Sequence, residues 1–154
     1  MTDSYATTLI VVPARYGSTR LPGKPLLTIA GRTLLERVSA AARIAAGMAG
    51  DCDLVVATDD ERIADHAHQI GIEAVLTAAD IDSGSARACA AAQTRAVRPR
   101  FVVNLQGDAP FVRPEIVAGL VATLRESSTD VATPVYRLDW PRLDRLRAHK
   151  QVAP

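Results

Sequence analysis

A chain of 154 residues is long enough for one domain with a substantial core, and 48% hydrophobic with 23% charged residues is the composition of an ordinary globular protein. The formal net charge of +1 excludes the broad basic surface that binding to nucleic acid or to an anionic membrane requires. We therefore predict a single domain over residues 1–154 whose partner is a small molecule, with no nucleic-acid and no membrane partner.

The cysteine pattern fits a reducing compartment, and the N-terminal residues do not have the pattern of a signal peptide. Cys52 and Cys89 form neither a CxxC motif nor a zinc-type spacing with histidine. The apolar run at residues 9–12 is much too short for a signal peptide or a membrane span, and no cationic segment precedes it. We predict a cytoplasmic protein.

The first predicted strand is the β-branched run at residues 9–12, closed by Pro13, which is typical of a strand buried on both faces of a parallel sheet. A loop of glycines, hydroxyls and cations follows up to Pro25. In α/β proteins, a loop in this position holds phosphates with backbone N–H groups and cationic side chains. The alternative, solvated surface cations in a Gly/Pro connection, stays open on composition alone.

Strands and helices are predicted to alternate through the rest of the chain. A helix over 33–48 ends at Gly50, and a capping box at 58–61 starts a second helix that ends near Gly71. Further helices are predicted over 85–95 and from Pro114 to about 127. The predicted strands lie at 54–56, 72–76, 101–105 and 131–136. This order predicts a Rossmann-like, doubly wound, mostly parallel sheet with helices on both faces.

Residues 138–147 have the pattern of a basic amphipathic helix. The simplest expectation is a peripheral helix that packs Leu143 and Leu146 on the sheet. The alternative is a helix that binds a partner or a membrane surface.

The glycine-rich loop matches neither of two common phosphate motifs. From Gly17 to Lys24 the spacing is one residue longer than in a Walker A loop, and Pro25 stands where the magnesium-binding hydroxyl should be. The dinucleotide fingerprint G-x-G-x-x-G is absent. What remains is a loop in which Arg15, Arg20 and Lys24 could surround a triphosphate.

The loop from residue 13 to residue 26, PARYGSTRLPGKPL, resembles the N-terminal signature of the 3-deoxy-manno-octulosonate (KDO) cytidylyltransferases, the CMP-KDO synthetases. Three further segments agree with that family in the same order: residues 55–64, 82–87 and 103–108. The resemblance covers essentially the whole chain. It implies transfer of CMP from CTP to a KDO-type sugar acid, with release of pyrophosphate and with Mg²⁺, in the activation of a lipopolysaccharide precursor.

The resemblance also implies roles for individual residues. Asp108 would be the magnesium ligand, because a carboxylate beyond the end of a parallel strand suits a metal that bridges phosphates. The catalytic set would be Arg15, Lys24 and Asp108. The nucleotide contacts would be Pro13, Ala14, Arg15, Ser18, Arg20 and Lys24 on the phosphate side and Ser83, Gly84, Arg87 and Gln106 toward the base and ribose. Other polar residues, Asp59 to Glu61 and the pair His66 and His68, are interpreted as helix-start and surface residues.

The sequence departs from the family at two positions and in length. Ala109 and Ala86 stand where carboxylates are usual. Members of the family are considerably longer and carry a further metal-binding aspartate, sugar contacts and dimer-forming strands after the region present here. The alternative is therefore a truncated or regulatory module that binds CTP-Mg without turnover; the full-length family implies a homodimer, and self-association is a further expectation for this chain.

Overall fold

The computed structural model describes residues 8–17 and 21–152, with side chains through residue 149. The strands are β1 (Thr8–Ala14), β2 (Thr28–Ile29), β3 (Arg32–Thr33), β4 (Cys52–Thr58), β5 (Glu73–Leu76) and β6 (Phe101–Asn104). The helices are α1 (Leu34–Ala49), α2 (Glu61–Gln69), α3 (Gly84–Gln93), α4 (Pro114–Glu126) and α5 (Trp140–Val152), with a short 3-10 helix at Lys24–Leu26. In this part of the chain no helix has the length and apolar character needed to cross a membrane.

The main sheet has four parallel strands in the order β5-β4-β1-β6. The crossovers through α1 and α2 extend the sheet to one side of β1, whereas the crossover through α3 returns to its other side. The carboxyl ends of β1 and β6 therefore lie side by side at the point where the strand order reverses, which is where open α/β sheets bind ligands. The prediction of a mostly parallel sheet flanked by helices is confirmed.

The two faces of β1 are covered by different helices because alternate side chains point to opposite faces. Ile10, Val12 and Ala14 belong to a core that includes residues of α1, α2 and α4, and Leu9 and Val11 pack with α3. On the second face α3 contributes small side chains, which allow it to approach the sheet closely: Ala88, Ala91 and Ala92.

Two sequence expectations for the early elements are corrected in detail. β1 does not stop before Pro13 but continues to Ala14. Proline is tolerated there because the pairing of β1 with β6 ends at Val11, so the missing N–H of Pro13 removes no hydrogen bond from that pairing. The cap of α2 is Asp60, whose side chain accepts from the N–H of Arg62, and not the predicted capping box that begins at Thr58. Thr58 instead accepts from the N–H of Asp60 through its hydroxyl.

The strand predicted at 131–136 is wrong. The backbone there pairs with no strand in the described part of the chain, and Val131 and Val135 are 79% and 90% exposed. Pro134 interrupts the segment, and β-branched residues favour a strand only where a neighbour offers a ladder and a surface to pack against.

Two further expectations concern the last helix and the extent of the domain. α5 forms, but Leu146 is 44% exposed and neither it nor Leu143 belongs to a core cluster, so the expected packing on the sheet is also wrong. A single domain over 1–154 stays a prediction.

Candidate active site

A cleft of about 280 Å³ opens at the carboxyl ends of β1 and β6. Gly107 allows the two strand ends to meet, because a Cβ at that position would collide with the carbonyl oxygen of Pro13. Residues from the β1 end, the 3-10 helix, the start of α3 and the β6 end line the cleft: Pro13, Ala14, Arg15, Lys24, Pro25, Leu34, Ile81, Asp82, Ser83, Gly84, Arg87, Gln106, Gly107 and Asp108.

The cationic side of the cleft is formed by Arg15 and Lys24. Arg15 follows β1 directly and is exposed. Lys24 begins the 3-10 helix, after Gly23 with the left-handed φ of 69° that lets the chain turn there. Lys24 Nζ lies 3.0 Å from Asp108 Oδ2, so the cation and the carboxylate meet across the cleft.

A cation–π contact and a backbone hydrogen bond hold Tyr16, which lies in the glycine-rich loop after β1. The guanidinium of Arg62 lies over the ring of Tyr16, 3.4 Å from its centroid, and the N–H of Gly23 donates to the carbonyl of Tyr16 at 2.9 Å. Arg62 also binds both carboxylate oxygens of Asp60, and its hydrogen bonds lower the pKa of that carboxyl below its ordinary value. α2 thereby anchors the loop that carries Lys24.

The opposite side of the cleft offers uncharged polar groups from Ser83 and Gln106, beside the carboxylate of Asp82. Ser83 caps α3 by accepting from the N–H of Ala86 at 3.1 Å. The Gln106 amide donates to Asn104, which donates to Ser85, each at 3.1 Å. A donor and acceptor set of this kind can pair with a nucleobase or a ribose.

Arg87 reaches the cleft from α3, but its hydrogen bonds all go to the protein. Its guanidinium donates to the hydroxyl of Thr77, to the carbonyls of Ala78 and Ile81 and to the carboxylate of Asp59, 3.1 Å away at Oδ2. The side chain is 3% exposed. Sequence reasoning did not pair Arg87 with Asp59, because 28 positions separate them and only the fold brings β4 and α3 together.

Two carboxylates line the cleft, Asp108 and Asp82. No group of three or more Asp, Glu, His or Cys residues suited to a metal occurs among the described residues. The two carboxylates of the cleft are donors of the kind that a divalent cation takes together with phosphate oxygens and water.

The structure thus brings together most of the site residues predicted from sequence. Nine of them line one cleft: Pro13, Ala14, Arg15, Lys24, Ser83, Gly84, Arg87, Gln106 and Asp108. Ser18 and Arg20 lie outside the described residues. Asp82 and Gly107 were missed as cleft residues, although each adjoins a residue that was predicted.

Ala109 and Ala86, where the resemblance leads us to expect carboxylates, take part through their backbone N–H groups. The N–H of Ala109 donates to the carbonyl of Gln106 at 3.1 Å and closes the turn that carries Asp108. The N–H of Ala86 completes the Ser83 cap. Both loops therefore form in this structure without those carboxylates.

One histidine expectation needs correction. His66 is half-buried, and its Nε2 lies 2.8 Å from the hydroxyl of Thr33, the residue that caps α1. It joins two helices and is therefore not an ordinary surface residue. The hydroxyl of Thr33 also accepts from the N–H of Glu36.

Comparison with known proteins agrees with this geometry. Residues 9–143 match the family model described as "Cytidylyltransferase". The chain is 46% identical over 143 residues to the 3-deoxy-manno-octulosonate cytidylyltransferase of Maricaulis maris, covering 92% of this chain and 54% of that protein. The chain therefore spans about half the length of the curated relatives it matches.

Solved structures give the same fold. A CMP:2-keto-3-deoxy-manno-octonic acid synthetase complexed with CTP is 39% identical, with a TM-score of 0.70 over 77% of this chain and 47% of that one. A Mycobacterium tuberculosis protein in a complex with manganese is 23% identical, with a TM-score of 0.53 over 77% of this chain and 59% of that one, and shares the fold. By its family match and its close relatives, this chain belongs to the cytidylyltransferase family.

Proposed function

We propose that the cleft binds CTP, with the triphosphate on the side of Arg15 and Lys24 and the nucleoside on the side of Ser83, Gly84 and Gln106. The observation that carries the proposal is the convergence of Lys24 and Asp108 on one cleft at the switch point of the sheet. Two cations suit a polyanion, and the uncharged polar groups of Ser83 and Gln106 suit a base. The CTP complex of the similar synthetase structure supports the choice of nucleotide.

Asp108 completes the proposed site. We propose Ser18 and Arg20, which lie outside the described residues, as further phosphate contacts. Asp108 would hold Mg²⁺ on release of its pairing with Lys24, whose ammonium would then face the phosphates. When bound, the metal neutralises phosphate charge and orients the nucleotide. Arg15 and Lys24 offset the charge that grows on the departing pyrophosphate.

The reaction proposed for the complete protein is transfer of CMP to a KDO-type sugar acid, as the names of the relatives indicate. The sugar hydroxyl attacks the α-phosphorus in line, the bond to the pyrophosphate breaks, and the hydroxyl proton leaves to solvent. No protein nucleophile is required, because positioning and charge stabilisation supply most of the rate. This activity would serve lipopolysaccharide precursor synthesis in the cytoplasm.

We propose CTP-Mg binding without turnover as the alternative function. The match covers 54% of the Maricaulis maris enzyme. Self-association is a related proposal, supported by a run of exposed apolar side chains near the end of the chain: Val131, Val135, Tyr136 and Trp140. Sedimentation at several concentrations tests it.

A pyrophosphate-release assay separates the two functions. The chain is supplied with each NTP in turn, with KDO as acceptor and with Mg²⁺ present or chelated. Release that needs CTP, KDO and metal together supports the transferase. Saturable CTP binding without release supports the binding module, and no binding of any nucleotide contradicts both.

A further inference from the structure

We propose that Asp59 and Arg87 form a positioning pair that sets the loop at residues 77–83 on the nucleoside side of the cleft without touching the nucleotide. The inference rests on the proposed CTP site and assigns Arg87 a different role from the direct nucleotide contact expected from sequence. The pair lies between the end of β4 and the first turns of α3. Its oxygen and nitrogen are 3.1 Å apart.

Each of the two terminal nitrogens of the Arg87 guanidinium already donates to two groups of the chain. Nη1 donates to the Thr77 hydroxyl and the Ala78 carbonyl, and Nη2 donates to Asp59 and the Ile81 carbonyl. These partners span the loop from its first residue to its fifth. Because one rigid fork binds all of them, the position of Arg87 determines the path of the loop.

Asp59 keeps that fork in place. Its side chain is 15% exposed and Arg87 is 3% exposed, so the pair is shielded from water. Oδ1 of Asp59 is buried and has no hydrogen-bond partner among the described residues. The buried carboxylate therefore depends on Arg87 for compensation, and either partner alone would be left with an unpaired charge.

The loop held in this way delivers residues to the cleft. Its start is tied to β4 by the N–H of Thr77, which donates to the carbonyl of Thr58 at 2.8 Å. Its end supplies Ile81, Asp82 and Ser83 to the cleft wall. A shift of the loop would move the capped start of α3 relative to Gln106, while the cations on the other side would stay in place.

The test compares Asp59→Asn with Glu73→Gln. The first variant removes the buried charge but keeps the shape of the side chain. The second breaks a different ion pair, between β5 and the residues that follow α3, where Arg95 Nη1 lies 2.8 Å from Glu73 Oε1. Neither of these residues lines the cleft. Arg87→Lys is a second variant, since an ammonium keeps the charge but cannot replace the planar fork.

Two measurements are made on each variant with Mg²⁺ at a temperature where it is folded. Calorimetric titration gives the affinities for CTP and for inorganic triphosphate. Hydrogen exchange reports the protection of residues 77–83. We expect Asp59→Asn and Arg87→Lys to weaken CTP binding by roughly tenfold, the lower end of effects seen for residues that orient a binding group. In both variants triphosphate affinity should stay within about twofold of that of the unaltered chain, because the cations on the other side of the cleft are unchanged. Hydrogen exchange at residues 77–83 should accelerate in both. The control Glu73→Gln should change neither the affinities nor the exchange.

Three results would overturn the pair as a positioning device. The first is unchanged hydrogen exchange at residues 77–83 in both variants. The second is a CTP affinity equal to that of the unaltered chain. The third is an equal loss of affinity for CTP and for triphosphate, which indicates a general loss of structure. If the unaltered chain binds no CTP, the proposed function fails. The exchange measurement then decides the pair alone: faster exchange confined to 77–83 supports it, and unchanged exchange contradicts it.

Discussion

Lys24 Nζ lies 3.0 Å from Asp108 Oδ2 and joins two segments that are 84 positions apart in the sequence. The two side chains are 39% and 58% exposed, and ion pairs this open to water contribute about 0–1 kcal/mol to stability. The pair is therefore of little importance for folding. The proposed site requires both groups to exchange partners, Lys24 for a polyanion and Asp108 for a metal, and so weak a pair allows that exchange.

The close contact of β1 and β6 predicts that Gly107→Ala damages the site. A methyl group at residue 107 would collide with the carbonyl oxygen of Pro13, and both are backbone atoms that a side-chain rotation cannot relieve. We expect a loss of about 2–3 kcal/mol in the free energy of unfolding, as for other overpacked sites, and weaker CTP binding. Denaturant unfolding and calorimetric titration measure the two effects.

Gly119→Ala is the matched control for that change. Gly119 lies within α4, and a Cβ there would have no heavy atom within 4 Å. Since glycine costs a helix interior roughly 0.5–1 kcal/mol relative to alanine, this variant should be as stable as the unaltered chain or more stable. Equal effects of the two substitutions would contradict the tight approach at Gly107.

Arg125 is predicted to be a major stabilising residue away from the cleft. From α4 its guanidinium donates to the carbonyls of Ala49, Gly50 and Asp51, where α1 ends, and to the hydroxyl of Thr8. Arg125→Ala removes the guanidinium from all four acceptors, of which the Ala49 carbonyl and the Thr8 hydroxyl are partly buried, so we expect a loss of about 2–4 kcal/mol. A loss below about 0.5 kcal/mol in urea unfolding, the range of ordinary surface changes, would show that water replaces the guanidinium.

The two free thiols should react at different rates. Cys52 is half-buried and Cys89 is exposed. Burial raises the pKa of the Cys52 thiol, an effect that the nearby charge of Arg125 only partly opposes. The neutral thiol is therefore favoured in the folded chain, and this contribution to stability is present below the ordinary pKa and lost as the pH rises through the folded value.

Single-thiol variants, Cys89→Ser and Cys52→Ser, allow each rate to be measured with iodoacetamide. At pH 8 Cys89 should be alkylated faster, because only the thiolate reacts and the Cys52 thiolate is both scarcer and less accessible. Similar rates in the folded chain would contradict the burial of Cys52. Unfolding in urea should make the two rates equal.

Asp60 gives the structure a defined response to acid. Hydrogen bonds from Arg62 hold the pKa of Asp60 below its ordinary value, so the carboxylate contributes stability above the ordinary value that is lost as the pH falls through the folded one. We expect Asp60→Asn to be less stable than the unaltered chain at pH 6. The difference in unfolding midpoint should shrink as the pH is lowered from 5 toward 2, and a constant difference would contradict the role of the charge.

The sequence predicted best those elements whose ends are set by residues next to them in the chain. α1 was predicted over 33–48 and observed at Leu34–Ala49, because Thr33 caps its start and Gly50, with a φ of 62°, ends it. The cleft residues at the carboxyl ends of β1 and β6 were also predictable, since parallel strands bring their ends to one edge of a sheet.

Features that depend on distant partners were not predictable. Residues 131–136 have strand composition but find no neighbour in the described part of the chain, so composition alone misled. Asp59 looked like a helix-start residue until the fold placed it against Arg87. The hairpin of β2 and β3 was missed because each strand has only two residues, too few for any periodicity.

The central claim is that Lys24 serves the nucleotide and not the fold. Calorimetric titration of CTP with Mg²⁺ into the unaltered chain, Lys24→Ala and Arg32→Ala tests it most directly. Arg32 is a suitable control, since it is an exposed cation, 63% exposed and 3.6 Å from Glu36, that does not line the cleft. We expect Lys24→Ala to lose at least about tenfold in affinity, as for a lost hydrogen bond to a charged group, with its unfolding midpoint unchanged, and Arg32→Ala to bind normally. Equal affinities for all three proteins would contradict the account.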